Sequence, residues 1–420
     1  MKKALYLLGS TLIWVGCNNQ PNKELAIANE TLSFSLKAVD LQSSSDTLTK
    51  TDSKLVLKAG SWASYTVEVP QTGRYRVAFT MAGADSASVW VEDYINNPDQ
   101  RTYNITGMVH PKSNDSLSAA WVDGSPMQAG KHDLKIHAAK GDVTLKTVTF
   151  SILQGQEETP KVLSQNMSGG DWQLVWSDEF DGSGLPDTSL WNYNAGNWGW
   201  GNNEPQYYTA FREKNARQEK GNLIIEAHKN DSGQAWTSAR LTTQGKQAFL
   251  NGKIEFRAKV PAGRGTWSAG WLLGDAYRDE ISWPYCGEID VLETVGYEIN
   301  DTTGKGLNHA SCHTRAYYFK QGNHLTATLP VDSMNSQWHT YGIEWYPDSI
   351  RAYVDNTFYY TYDKTANELE WPFAEAQNII INLAVGGGWG GAKGIDESYQ
   401  NHKLLVDYVR VYEKQKSPEK

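Results

Sequence analysis

Between residues 253 and 260 hydrophobic and charged positions alternate without a fault. Ile254, Phe256, Ala258 and Val260 share one parity; Lys253, Glu255, Arg257 and Lys259 share the other. A period of two marks a strand with one buried face. Residues 222–227, 338–345, 350–355, 378–383 and 404–412 also read as strands. So many strands across residues 172–413 predict two large antiparallel sheets packed face to face, a β-jelly roll with a concave cleft. Upstream, residues 65–69, 74–79, 88–92, 132–136 and 143–150 are rich in β-formers, with turn clusters at 70–73 and 128–131. No helix-period stretch competes with them, so residues 24–153 are expected to form a smaller β-sandwich. Residues 154–171 are polar and turn-rich and read as a linker. The expected class is all-β throughout.

The first residues break this pattern. Met1-Lys2-Lys3 is a basic start, and residues 4–15 form an apolar run too short to span a bilayer. The run ends at Val15-Gly16-Cys17 before polar Asn18-Asn19-Gln20, which resembles a bacterial lipoprotein signal. By that resemblance residues 1–17 are the signal, Cys17 carries the lipid, and the chain is exported and anchored to a membrane, the outer membrane of a bacterium. A plain secretory signal is the alternative. Two further cysteines, Cys286 and Cys312, are expected as buried free thiols, because strand parity directs them to different faces.

Charge and composition narrow the function. A net charge of -9 speaks against nucleic acid as a partner. Tryptophan is abundant, with 17 copies, beside 22 tyrosines. Flat rings in that number suit a protein that stacks on the apolar faces of sugars.

The chemistry concentrates in Glu288-Ile-Asp-Val-Leu-Glu293. Three carboxylates lie on a strand whose other residues are core types. Glu288 and Asp290 share a face, but Glu293 is an odd step from Glu288. A one-residue bulge at Val291-Leu292 would return Glu293 to the same side, and bulges favour active sites. Paired carboxylates on a cleft face are the equipment of glycoside cleavage, one as nucleophile and one as acid/base. The alternative is a set of solvated acids on an exposed strand. Trp267 and Trp271 share parity and could floor a sugar site or fill a core. Trp283 precedes the acids and is expected to stack near the cleavage point. Trp389, in a glycine-rich loop at 386–391, is available to stack as well. That loop satisfies G-x-G-x-x-G, but no apolar helix follows, so a dinucleotide site is rejected. A zinc site at His309, Cys312 and His313 is rejected because Cys312 points away from both histidines.

Several stretches resemble glycoside hydrolase family 16: Trp172-Gln-Leu-Val-Trp-Ser-Asp-Glu-Phe180, Trp198-Gly-Trp-Gly-Asn-Asn-Glu204, Gly265-Thr-Trp-Ser-Ala-Gly-Trp271, Gly287 to Glu293, Asn382-Leu-Ala-Val-Gly-Gly387 and Val406-Asp-Tyr-Val-Arg-Val-Tyr412. The resemblance implies a retaining enzyme with Glu288 as nucleophile, Asp290 as its helper and Glu293 as acid/base. The two residues between Asp290 and Glu293 are similar to the laminarinase branch, which implies an endo-acting β-1,3-glucanase. It also implies sugar contacts at Asn203, Glu204, Arg240 and His313. Ser268 and Gly270 depart from the family's usual proline and larger apolar residue. Glu179, the Gly221 carbonyl and Asp407 match a structural calcium position. Catalysis needs no cofactor; the expected partner is a β-glucan, and the expected state is a monomer. A mixed-linkage glucanase, or a non-catalytic glucan-binding surface protein, remains the alternative. Through Gly60-Ser-Trp-Ala-Ser-Tyr-Thr-Val-Glu-Val69, Gly73-Arg-Tyr-Arg-Val77 and Ala129-Gly-Lys-His-Asp-Leu134 the N-terminal sandwich resembles a family 6-type carbohydrate-binding module, with Tyr94 and Trp121 as binding candidates, or serves as a spacer.

Overall fold

The computed structural model describes residues 32–45, 48–156 and 161–415. The signal segment and Cys17 therefore lie outside the described residues. Two β-sandwiches follow one another. The N-terminal one packs a six-stranded sheet, with Gly73–Gly83 and Val143–Gly155 at its centre, on a five-stranded sheet containing Trp62–Val69 and Gly130–Lys140. The C-terminal one packs a nine-stranded sheet on a ten-stranded sheet. Among the described residues the only helices are single 3₁₀ turns at Gly296–Glu298 and Phe319–Gln321. No described helix is long and apolar enough to cross a membrane.

The strand pattern explains the layering. Ile254, Phe256, Ala258 and Val260 are all buried in the larger core. The strand Gln377–Val385 is buried at every position. Its odd-numbered residues Ile379, Ile381 and Leu383 enter the core between the sheets. Asn382 and Ala384, on the other face, line the cleft instead. Thr266–Gly274 divides in the same way: Leu272 enters the core, while Trp267, Ala269 and Trp271 face the cleft. The cleft floor is thus the outer face of the nine-stranded sheet.

Gly270 sits where that sheet packs closely on the other. A Cβ there would lie 2.8 Å from Phe256 Cδ1. The aromatic ring fills the volume that a side chain at residue 270 would occupy. Gly270→Ala is expected to lower stability by about 1–3 kcal/mol through overpacking, read as a lower melting temperature.

The expected linker at 154–171 is only partly a linker. Val143–Gly155 continues the N-terminal sheet into it, and Lys161–Ser164 pairs in parallel with Gln247–Leu250 at the edge of the nine-stranded sheet. Polar and turn residues advertised a loop; the ladder comes from a partner edge far along the chain.

The two sandwiches are docked on each other. Asp123 exchanges backbone and side-chain hydrogen bonds with Asn197, each 3.1 Å, and accepts another from the Tyr207 hydroxyl. Arg101 donates to the carbonyls of Trp283 at 2.8 Å and Ile281 at 3.1 Å. Gln156 donates to the Tyr277 carbonyl at 2.6 Å. Arg74 is buried, with its guanidinium 5.0 Å from the Trp200 ring centre and 5.2 Å from that of Trp198.

Candidate active site

The acids lie on Glu288–Val295, between Thr266–Gly274 and Gly306–His313. Asp290 pairs with Trp271, but Leu292 pairs with Gly270, so the register shifts by one residue at Val291. Val291 and Leu292 both enter the core, each fully buried. That bulge turns Glu293 back toward the cleft, where it lines one pocket with Glu288 and Asp290.

Each glutamate is held by an indole. Trp283 Nε1 donates to Glu288 Oε2 at 2.7 Å, and Trp267 Nε1 donates to Glu293 Oε1 at 3.1 Å. His313, paired directly opposite Glu288, places Nε2 3.3 Å from Asp290 Oδ2 and 3.9 Å from Glu288 Oε1. Burial raises all three carboxyl pKa values; like charge adds to it at Glu288 and Glu293, while at Asp290 a hydrogen bond with Glu288 opposes it. Glu288 is pushed up to about 7 by burial and then by the Asp290 charge, against the pull of His313, Trp283 and Arg240. Glu293 is raised well above the usual range by burial, Asp290 and Glu288, and only Trp267 opposes this. Glu288 therefore ionises before Glu293. His313 is lowered by burial and is held toward its neutral form.

The walls are aromatic and polar. Trp271 Nε1 donates to Asn382 Oδ1 at 2.8 Å, and Asn382 donates to the Tyr208 hydroxyl at 3.1 Å. Arg240 lies 4.7 Å from the Trp271 ring centre and 4.8 Å from that of Trp200, fixed by Asn194. Glu204 is buried, with oxygens taken by Asn202 and Gln206. Its loop approaches closely because Gly387 has no side chain: a Cβ there would meet Glu204 Cγ at 3.0 Å. Trp389 meets Trp267 edge-on at 5.4 Å and continues the aromatic wall.

Known proteins are similar to this chain. The profile of glycosyl hydrolases family 16 matches residues 203–410. A β-glucanase of Rhodothermus marinus is 45% identical over 249 residues, covering 57% of this chain and 85% of the relative. A glucan endo-1,3-β-glucosidase of Cryptopygus antarcticus is 36% identical, covering 58% of this chain and 93% of the relative. The chain belongs to glycosyl hydrolases family 16. The crystal structure of the laminarinase from Rhodothermus marinus superposes with a TM-score of 0.54 at 44% identity, covering 58% of this chain and 98% of that one. The family match begins at residue 203 and leaves the N-terminal sandwich outside it.

Within this family 16 domain the expected site residues fall into three groups. Glu204, Arg240, Trp267, Trp271 and Trp283 line the pocket with the three acids. His313 packs behind the acids, and Asn203 lines a neighbouring groove rather than the pocket itself. The calcium set does not fit a cation. Both Glu179 oxygens are held by Arg410, at 2.9 and 2.7 Å, and Asp407 is paired with Arg257. Near Gly221 the closest atom to an added Cβ is Asp181 Oδ1 at 3.7 Å. A calcium ion would have to displace two arginines.

Cys286 and Cys312 are free and buried, and His309 is bound to Glu298 at 2.7 Å, away from the Cys312 thiol in the core. The sugar-stacking candidates of the N-terminal sandwich are not open platforms. Arg76 covers a Trp121 face at 3.9 Å, and the Tyr94 hydroxyl is buried toward Asp279 of the family 16 domain.

Sequence reasoning missed Tyr277 and Glu280, which line the pocket from a loop without periodicity, and Lys320, on the single 3₁₀ turn Phe319–Gln321. It also passed over Asn382, although a polar residue on the cleft parity of an otherwise apolar strand was a usable signal. Glu288, Asp290 and His313 offer ligand atoms within 4.8 Å of one another and could hold a cation.

Proposed function

We propose that this family 16 chain is a retaining endo-β-1,3-glucanase of the laminarinase type. The bulge at Val291 carries the reading, because it gathers two glutamates of unequal acidity on one cleft face. Relatives named β-glucanase, glucan endo-1,3-β-glucosidase and laminarinase support the substrate class.

In the first step ionised Glu288 attacks the anomeric carbon and the bond to the leaving oxygen breaks. Protonated Glu293 gives that oxygen its proton. In the second step Glu293, now a carboxylate, takes a proton from water, and the resulting hydroxide displaces Glu288 from the sugar. Two inversions retain the β configuration, and the glutamates return to their starting states. Asp290 sits between them and keeps Glu293 protonated through its charge. Trp283 steadies the Glu288 carboxylate through its indole N–H. No step uses a cofactor.

The test is a digest panel of laminarin, mixed-linkage β-glucan, agarose and carrageenan, with product sizes followed over time. Laminarin should be cut fastest, through long intermediates, and chelation with EDTA should leave the rate unchanged. Preference for the mixed-linkage polymer would move the assignment to that specificity. Binding of laminarin without products would replace the enzyme by a glucan-binding protein. Loss of activity on chelation, restored by a divalent metal, would turn Glu288, Asp290 and His313 into a metal site.

We further propose export and membrane anchoring through Cys17, supported by the basic start and short apolar run before it. The N-terminal sandwich is proposed to serve glucan recognition, though not through Tyr94 or Trp121.

A further inference from the structure

A second groove of about 460 Å³ continues from the catalytic pocket across the boundary between the two domains. Pocket and groove share Gly201, Glu280 and Lys320. Beyond those residues, Trp198 and Asn203 of the family 16 domain form one side. Residues 101–104 with Met108 of the N-terminal sandwich form the other.

The groove is a built site. Its N-terminal loop is tied to the segment leading into the acids, through the two Arg101 hydrogen bonds to Trp283 and Ile281. The Asn104 side chain fixes the same loop from within, accepting from the N–H groups of Thr106 at 3.1 Å and Gly107 at 2.8 Å. Trp198 is 4% exposed, and its Nε1 has no acceptor among the described residues. Its ring is packed into the domain boundary, 3.7 Å from the Trp200 ring centre and 5.2 Å from the Arg74 guanidinium. Lys320 stands at the junction, its ammonium 5.4 Å from the ring centres of both Tyr103 and Trp283. Burial lowers its pKa, and the Glu280 charge opposes this.

These groups suit a neutral polyhydroxyl chain. Amides at Asn104 and Asn203 and the Lys320 ammonium can meet hydroxyls. Tyr103 and the exposed Met108 offer apolar surface for ring faces. Glu280 beside Lys320 disfavours a phosphate or sulfate.

We propose that this groove is a glucan subsite built jointly by the two domains, which takes further glucosyl units of the chain being cut at Glu288 and Glu293. The N-terminal sandwich then acts as part of the substrate cleft, not as a tethered module. This rests on the glucanase reading.

The test uses the full chain and β-1,3-gluco-oligosaccharides from the trisaccharide to the decasaccharide. In the wild type kcat/KM should rise with length until the groove is filled. Thr102→Trp, at an exposed groove position, should block it. The expected loss is about tenfold in kcat/KM on the longest oligomers, with the shortest cleaved oligomer unaffected and the melting temperature unchanged. Met108→Ala should give a smaller loss with the same dependence on length. An equal loss at every length, or no loss at any, overturns the groove. A wild type that cuts no β-1,3-glucan overturns the glucanase reading and this proposal together. An active wild type with a length-independent variant overturns this proposal alone.

Discussion

Glu288→Gln should lower kcat on laminarin by roughly 10⁴–10⁶-fold, the scale of removing a nucleophile. Glu293→Gln should lower it by about 10²–10⁴-fold, the scale of removing an acid/base. Both variants should still bind laminarin, since neither change removes the aromatic walls. The two roles separate by chemistry. An aryl glucoside with a good leaving group needs no proton, so Glu293→Ala should still form the glycosyl-enzyme from it. Azide should then attack that intermediate and yield a β-glycosyl azide. In Glu288→Ala azide can only replace the carboxylate directly, and the product should be the α anomer. The opposite pairing of anomer and variant would reverse the assigned roles. Retained hydrolysis of laminarin in either glutamine variant would remove that residue from the mechanism altogether.

Asp290→Asn should shift the whole pH profile toward acid. In the wild type kcat/KM should rise as Glu288 loses its proton and fall as Glu293 loses its own. The Asp290 charge raises both pKa values, so removing it lowers both. Stability should respond with a definite sign. Asp290 itself is raised from 3.8 to about 7 in the folded protein, through burial. A group raised on folding favours the native state below its unfolded pKa and loses that contribution as pH climbs through the folded value. The wild type should therefore lose stability, relative to Asp290→Asn, between pH 3.8 and about 7. Above that window the variant should melt higher, by roughly 2–4 °C for each kcal/mol gained; below it the advantage should vanish. Melting curves in acidic and mildly alkaline buffers decide this. A variant that melts lower at high pH would show that the Asp290 charge is compensated by its neighbours, His313 first among them.

The raised carboxyls also explain why the site resists simple reading as a stable core. Three acids on one strand face, walled by Trp267, Trp271 and Trp283, are costly to charge. Such a cluster persists where its unequal acidity is used, as in the proposed displacement.

Much of this was legible along the chain. The alternation at 253–260 placed four residues in the core, and all four are buried there. The odd step from Glu288 to Glu293 called for a bulge at Val291-Leu292, and the register shifts at that point. Cys286 and Cys312 were expected as free thiols, and they are. The first two succeed because parity is local: a strand turns successive side chains to opposite faces whatever its partners; Cys286 instead sits in the turn before Glu288–Val295. The readings of Glu179 and Asp407 as calcium ligands fared differently. Their partners, Arg410 and Arg257, sit on other strands, and only the assembled ten-stranded sheet brings each pair together. Lys161–Ser164 likewise looked like linker until Gln247–Leu250 supplied its ladder.

The sequence by itself determined the all-β class, the two sandwiches, the buried face of residues 253–260 and the shared side of the three acids. Tertiary structure alone decided which loops wall the cleft, which carboxylates are already neutralised by arginine, and how the N-terminal sandwich docks beside the pocket. The division has a physical cause. A strand's facing follows from backbone geometry over two or three residues. The company a side chain keeps, as Lys320 with Tyr103 or Arg101 with Trp283, depends on surfaces far apart in the chain meeting only when the fold closes.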